Sequence, residues 1–110
     1  MALTLKPLKF LGTSHDDLRA FPDANRHAIG VELMVVQLGG MPSDFKPMPT
    51  VGAGAYEIRV RIEGEWRAIY VAKFTAAIYV LHSFQKKTQK TSKADLDIAV
   101  SRYKRIGVTP

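Results

Sequence analysis

The sequence predicts an α+β domain in which helices pack against one face of a small, mainly antiparallel sheet. Start and stop residues, together with apolar residues at helical spacing, indicate two helices within residues 14–38, and alternation of apolar and charged residues within residues 55–62 indicates a strand. The 110 residues, 46% of them hydrophobic, suffice for one core but not for two. We therefore expect residues 1–110 to form a single domain with the element order β-α-α-β-β-β-α.

The N-terminal part is predicted to contain an edge strand and a helical hairpin. The strand covers residues 6–11. Ser14 is expected to start a short helix that ends at Phe21, before a proline. Asp23 is expected to cap a second helix that ends before Gly39. Five apolar residues at intervals of four, three, four and three are predicted to form the core face of this second helix: Ala24, Ala28, Val31, Val35 and Leu38.

Residues 41–54 are predicted to form an irregular loop. This segment contains three prolines and two glycines and has no hydrophobic period. A loop of this length in a small domain is often functional.

Three antiparallel strands are predicted over residues 55–62, 66–74 and 76–84. Because successive side chains of a strand point to opposite faces, the apolar residues of the first strand should meet the helices. The charged residues should then form an open surface of guanidinium groups with a carboxylate among them, from Glu57, Arg59 and Arg61 and, in the next strand, Arg67. A solvated sheet face with weak cross-strand ion pairs is the alternative interpretation.

The last helix is predicted to begin at Ser92, since Asp95 follows three residues later in a variant of the capping box. Its apolar face comprises Leu96, Ala99, Val100 and Tyr103, and Gly107 is expected to end it.

The net charge of +6 lies entirely in the second half of the chain. Residues 1–55 hold five basic and five acidic side chains, whereas residues 56–110 hold eleven basic and five acidic ones. This asymmetry is typical of a protein with a nucleic-acid or acidic protein partner, although surplus surface lysines would produce it too.

Several classes of protein are disfavoured by composition. The chain has no cysteine, so disulfides and thiolate metal sites are excluded. No apolar run approaches the roughly 20 residues of a membrane span, and the N-terminus does not read as a secretory signal. No glycine-rich nucleotide cradle and no repeated metal-ligand spacing is present. We therefore expect a cytoplasmic protein with no cofactor, no metal and no membrane partner.

A cationic segment follows the third predicted strand. Lysines at 86, 87, 90 and 93 alternate with hydroxyl residues that can bind phosphate oxygens, and Phe84 could stack on a base. His82, at the end of the apolar strand, can titrate near neutrality. A solvated connection to the last helix is the plainer interpretation of this segment.

Residues 84–91 have the pattern Phe-x-Lys-Lys-Thr-x-Lys-Thr, and they follow strands that contain Tyr-Glu-Ile-Arg at 56–59 and Trp-Arg-Ala-Ile-Tyr at 66–70. Together with the order of elements, these segments resemble the phage-derived, HigB-like branch of the RelE/ParE toxin superfamily. The resemblance implies a RelE-like sandwich. It also implies the toxin of a type II toxin–antitoxin pair, a metal-independent endoribonuclease that cleaves mRNA at the ribosome and inhibits translation. Its partners would be a helix-turn-helix antitoxin, mRNA and the ribosome.

The resemblance also implies roles for individual residues. Catalysis by charge stabilisation would involve Arg59, Arg67, Lys86 and Lys87, and Glu57 or His82 could act as the base. RNA binding is expected from Arg61, Phe84, Thr88, Lys90 and Thr91. The antitoxin is expected to bind across the same basic surface. Two alternatives remain open, a ParE-like poison that binds DNA gyrase and an RNA-binding module without activity.

Overall fold

The computed structural model describes residues 4–107, and it confirms the α+β class. Five strands form one sheet, and three helices pack on it. The elements in chain order are β1 (Leu8–Phe10), α1 (Ser14–Arg19), α2 (Asp23–Gln37), β2 (Phe45–Pro47), β3 (Ala55–Arg61), β4 (Glu65–Val71), β5 (Ile78–Lys86) and α3 (Lys93–Tyr103).

The sheet has the strand order β1-β5-β4-β3-β2. β1 runs parallel to β5, and the other three pairs are antiparallel. β2 lies within the segment that was predicted to be irregular throughout, and it places Lys46 directly opposite Glu57. A three-residue strand is too short to give a hydrophobic period, which is why the sequence did not reveal it. The proline at its end is tolerated because β2 is an edge strand.

The helices lie on both faces of the sheet, so the prediction of a single helical face was wrong. Ile29 and Leu33 of α2 pack with Ile58 and Tyr70 on one face. On the other face, Ala99 of α3 belongs to a second apolar cluster, with Leu81 among its other members. A strand that is covered on both faces places side chains of both parities in contact with helices.

The core face of α2 differs from the predicted one. Its buried residues are Asn25, Ile29, Leu33 and Val36, whereas Val31 and Leu38 of the predicted stripe are 45% and 51% exposed. The helix is apolar on two sides, and the side with the larger aliphatic residues faces the sheet. Asp23 does not cap α2 either. Pro22 occupies the N-cap position, and Asp23 pairs with Arg26 at 2.8 Å instead.

The start of α3 agrees with its prediction. The Ser92 hydroxyl accepts a hydrogen bond from the Asp95 backbone N–H at 3.1 Å, which satisfies one of the free donors of the first turn. The turn between β3 and β4 depends on Gly64, whose φ of 128° is a conformation that residues with a Cβ rarely adopt.

Candidate functional site

The candidate site lies on the sheet face that α3 partly covers. The pairing register of β3, β4 and β5 aligns side chains of one parity into three rows that cross the three strands. The rows are Glu57, Ile69 and His82, then Arg59, Arg67 and Phe84, then Arg61, Glu65 and Lys86.

A β-bulge in β5 brings His82 into this site. Tyr70 pairs with Val80, but Ile69 pairs with His82, so Leu81 is an extra residue in the ladder. Without the bulge, strict alternation would place His82 on the face of Val80, under the helical hairpin. The extra residue reverses the parity beyond it and turns the last part of β5 towards α3.

Arg67 and Glu57 form a buried ion pair. The Arg67 Nε lies 3.4 Å from the Glu57 Oε1, and the two residues are 0% and 1% exposed. The prediction that Arg67 and Glu57 belong to an open charged surface was therefore wrong. The segment before α3 closes over them, and the Thr91 hydroxyl donates to the Glu57 Oε2 at 2.8 Å.

Arg67 retains unused hydrogen-bonding capacity. Its Nη1 donates to the Trp66 carbonyl at 3.1 Å and to the Glu65 carboxylate at 3.4 Å. Its Nε and Nη2 have no hydrogen-bond acceptor among residues 4–107. A buried guanidinium with free N–H donors favours binding of an anionic oxygen, because such bonds compensate for its lost hydration.

Arg59 and Arg61 are the accessible arginines of the site. Register places Arg59 directly opposite Arg67, and its side chain is one-quarter exposed. The Asp44 carboxylate lies 3.9 Å from the Arg59 Nη1 and 3.6 Å from the Arg61 Nε. The Glu65 carboxylate lies 3.5 Å from the same Arg61 Nε. These pairs are long and solvated, so they hold the arginines weakly. Sequence reasoning missed Asp44, because it lies in the long loop and no pattern linked it to β3.

The lysines that follow β5 stay near the surface. Lys86 lies opposite Glu65 and is half-buried, whereas Lys87, Thr88 and Lys90 are exposed. The Thr88 hydroxyl donates to the carbonyl of Lys90, which folds the segment into a turn.

His82 and Phe84 are less available than the sequence suggested. His82 is 5% exposed, its Nε2 lies 2.7 Å from the Asp95 Oδ1, and its Nδ1 has no partner among the described residues. Its ring stacks on Phe84 with centroids 4.8 Å apart, and Phe84 is 7% exposed. In this structure the Phe84 ring is therefore not exposed for stacking on a base. Asp95 was recognised only as a capping residue, yet one of its carboxylate oxygens accepts from the Ser92 hydroxyl and the other contacts His82.

Within residues 4–107, no cluster of three or more histidine, aspartate or glutamate side chains is placed to hold a metal ion. Over the same residues, no helix is both long enough and apolar enough to cross a membrane.

Comparison with known proteins places the chain in a family. A search of curated proteins found no match. Residues 16–104, which include all the site residues above, match the family described as Phage derived protein Gp49-like (DUF891). Since the match covers most of the chain, the protein belongs to the Gp49-like family of phage-derived proteins.

Proposed function

We propose that this protein is the toxin of a type II toxin–antitoxin pair and acts as a metal-independent endoribonuclease on mRNA at the ribosome. Its partners would be a helix-turn-helix antitoxin, mRNA and the ribosome, in the cytoplasm. The family assignment supports the toxin role, since the Gp49-like proteins fall in the RelE/HigB area of toxin families.

The observation that carries the proposal is the row in which Arg59 lies opposite Arg67. Two arginines placed side by side repel each other, and across a strand pair such an arrangement is unfavourable. Since Arg67 is buried, an anion would bind at the accessible side of Arg59, with the charge of Arg67 behind it. In the next row, Lys86 adds a third positive charge on the same face. A phosphate group of RNA is the anion that such convergent cations bind best.

The reaction consistent with this site is an internal transfer at one phosphate of RNA. The 2′-oxygen forms a bond to phosphorus, the bond between phosphorus and the 5′-oxygen breaks, and the proton of the 2′-hydroxyl passes to a base while the leaving oxygen takes one up. The products are a 2′,3′-cyclic phosphate and a 5′-hydroxyl end. Negative charge grows on the phosphate oxygens during the step, so fixed cations nearby accelerate it.

Burial divides the candidate residues into two groups. Arg59, Lys86 and Lys87 can reach a phosphate at the surface, and Arg61, Lys90 and Thr88 can bind neighbouring parts of the RNA. Glu57 and His82 are the proposed bases, but both lie beneath Thr91 or α3. Either could take up a proton only after the segment that carries Thr91 moves, or through a water relay.

The test is cleavage of a defined mRNA by the purified protein, with and without ribosomes, in the presence of a metal chelator. We expect products with 2′,3′-cyclic phosphate ends and a loss of roughly a hundredfold in rate for Arg59→Ala, which removes one donor to the transition state. Lys9→Ala is the control, since Lys9 is an exposed cation on β1. Intact RNA under all these conditions would exclude the nuclease.

A non-catalytic RNA-binding module is the second candidate. The burial of Glu57 and His82 favours it, because both proposed bases are withdrawn from the surface. In that case RNA would bind with a strong salt dependence but stay intact. A ParE-like gyrase poison would instead stop DNA replication first and protein synthesis only later. Pulse labelling of DNA and of protein in growing cells shows which of the two stops first.

A further inference from the structure

The outward face of α2 is apolar although no part of the described structure covers it. Val31, Met34 and Leu38 are 45%, 52% and 51% exposed. At about 100° of rotation per residue, they lie on the side of the helix opposite Ile29 and Leu33, which face the sheet. A solvated helix normally carries its charges on that side. Here the only charged residue on the outward side is Asp23 in the first turn, and the other residues of that side are Ala24, His27, Gly30, Val31, Met34 and Leu38.

Gly30 lies at the edge of this face, halfway along α2. Glycine is among the least favourable residues inside a helix, so an interior glycine calls for a reason. A Cβ built on Gly30 meets no atom within 4 Å, so nothing in residues 4–107 requires the absence of a side chain there. A bare backbone on an apolar face allows a second chain to approach closely. Gly30 therefore points to a partner that is not part of this domain.

Directly after Leu38, the chain lines a cavity of about 320 Å³ with Gly39, Gly40 and Met41. Met41, which is 46% exposed, lines this cavity together with the rings of Tyr56 and Tyr70. Lys6 and Lys73 also line it. An apolar cavity with cationic groups suits a large aliphatic or aromatic side chain that is followed by a carboxylate.

We propose that the outward face of α2 and this cavity form the docking site for an amphipathic, acidic helix of the antitoxin. Its apolar residues would pack on Met34 and Leu38 across Gly30, and its carboxylates would face Lys6 and Lys73. The identity of the partner as an antitoxin rests on the proposed function, whereas the docking surface rests on the features above. This surface is on the sheet face opposite Arg59, so the proposal replaces the expectation that the antitoxin binds across the cationic surface.

A second copy of this chain fits the surface less well. Each copy has a net charge of +6, and a symmetric contact would bring the lysine pairs of both cavities towards the same interface. An acidic helix would instead bring carboxylates to these lysines.

The test uses the purified products of the reading frames on either side of the one that encodes this chain. Binding to the full chain is measured by calorimetry. We expect one product to bind, and Met34→Glu and Leu38→Glu to weaken its affinity at least a hundredfold. Ile98→Glu is the matched control, because Ile98 is also an exposed apolar helical residue, 37% exposed on α3. Its affinity should stay within threefold of wild type.

Gly30→Ala gives a second, independent readout. The added methyl group meets no internal atom and improves helix propensity, so the melting temperature should rise by about 4 °C. The same methyl group should weaken partner binding by about tenfold. A stabilised variant that binds less well cannot be explained by damage to the fold.

Two results would overturn the docking proposal: neither neighbouring product binds, or the Met34→Glu and Leu38→Glu variants bind within threefold of wild type. The docking proposal and the proposed function are tested separately by expressing the chain without its partner and measuring growth. Met34→Glu should still arrest growth and should no longer be rescued by the partner. A chain that never arrests growth, yet loses its partner through Met34→Glu, would refute the toxin and retain the docking site.

Discussion

Removing one partner of the buried pair between Glu57 and Arg67 should destabilise the protein severely. Both side chains are almost fully inaccessible, at 2% and 0% exposure. Glu57→Gln keeps the shape of the side chain but leaves the buried Arg67 with only the partly exposed Glu65 carboxylate, 3.4 Å from its Nη1. Breaking a buried pair in this way costs about 3–5 kcal/mol. The total free energy of unfolding of a small domain is about 5–15 kcal/mol, so the variant should lose a large share of its stability.

The magnitude is measurable by urea unfolding. With a slope of about 1–3 kcal/mol per molar urea, the midpoint should fall by more than about 1 M. Arg67→Met should be destabilised to a similar degree. The double variant Glu57→Gln/Arg67→Met, which buries no charge, should be more stable than the sum of the single effects predicts, by about 1–3 kcal/mol.

Arg61→Met is the control for this cycle. Arg61 lies on the same strand and the same face of β3 as Glu57, but its side chain is 55% exposed, so its loss should change stability by less than about 0.5 kcal/mol. If Arg67→Met costs no more than Arg61→Met, Arg67 is not held in a buried pair. Because Arg67 is buried in this ion pair, we expect its replacement to affect the fold. Loss of activity in an Arg67 variant therefore has to be corrected for unfolding.

Three further outcomes are expected. Lys86→Ala/Lys87→Ala should leave the melting temperature nearly unchanged but should lower RNA affinity and reduce the salt slope by roughly 0.7 for each lost phosphate contact, as measured by binding titrations at several salt concentrations. Ser92→Ala removes the cap of α3 and should cost about 1 kcal/mol in urea unfolding, whereas a cost near zero would mean that the cap is not formed. Burial raises the pKa of the Tyr70 hydroxyl, so the folded protein holds this proton at a pH where the unfolded chain releases it; stability should fall as pH rises above about 10, and Tyr70→Phe should lessen the fall.

The fold was predictable where residue patterns are long, and not where they are short or ambiguous. Alternation in β3 and the Ser92 cap identified their elements correctly. β2 has three residues and pairs only at the edge, so nothing in its sequence distinguishes it from a loop. α2 has two apolar faces, and either could pack in the core. Only packing against the sheet selects the face with Ile29 and Leu33.

The sequence predicted which side chains of the site share a sheet face, but not whether they are buried. Alternation along β3 and β4 correctly indicated that Arg59 and Arg67 share a face, because register needs only local pairing. Whether that face is open depends on where α3 lies, which the sequence does not encode locally. The sequence likewise does not indicate the bulge at Leu81, since a continuous run of apolar residues has no alternation that an extra residue would interrupt.

The contacts around α3 suggest why a buried ion pair lies beneath a cationic surface. Thr91, just before α3, donates a hydrogen bond to Glu57, and Asp95, in the first turn of α3, contacts His82, so the start of α3 is fixed to the sheet. The segment with Lys87 and Lys90 is therefore fixed to the sheet at both ends, by β5 before it and by Thr91 after it, which limits the positions of these lysines before RNA binds. Cations that are held in place lose less freedom on binding a phosphate than cations on a free loop. Glu57 thus has a structural use that does not require it to act as a base: through Arg67 on one side and Thr91 on the other, it ties the cationic segment to the sheet.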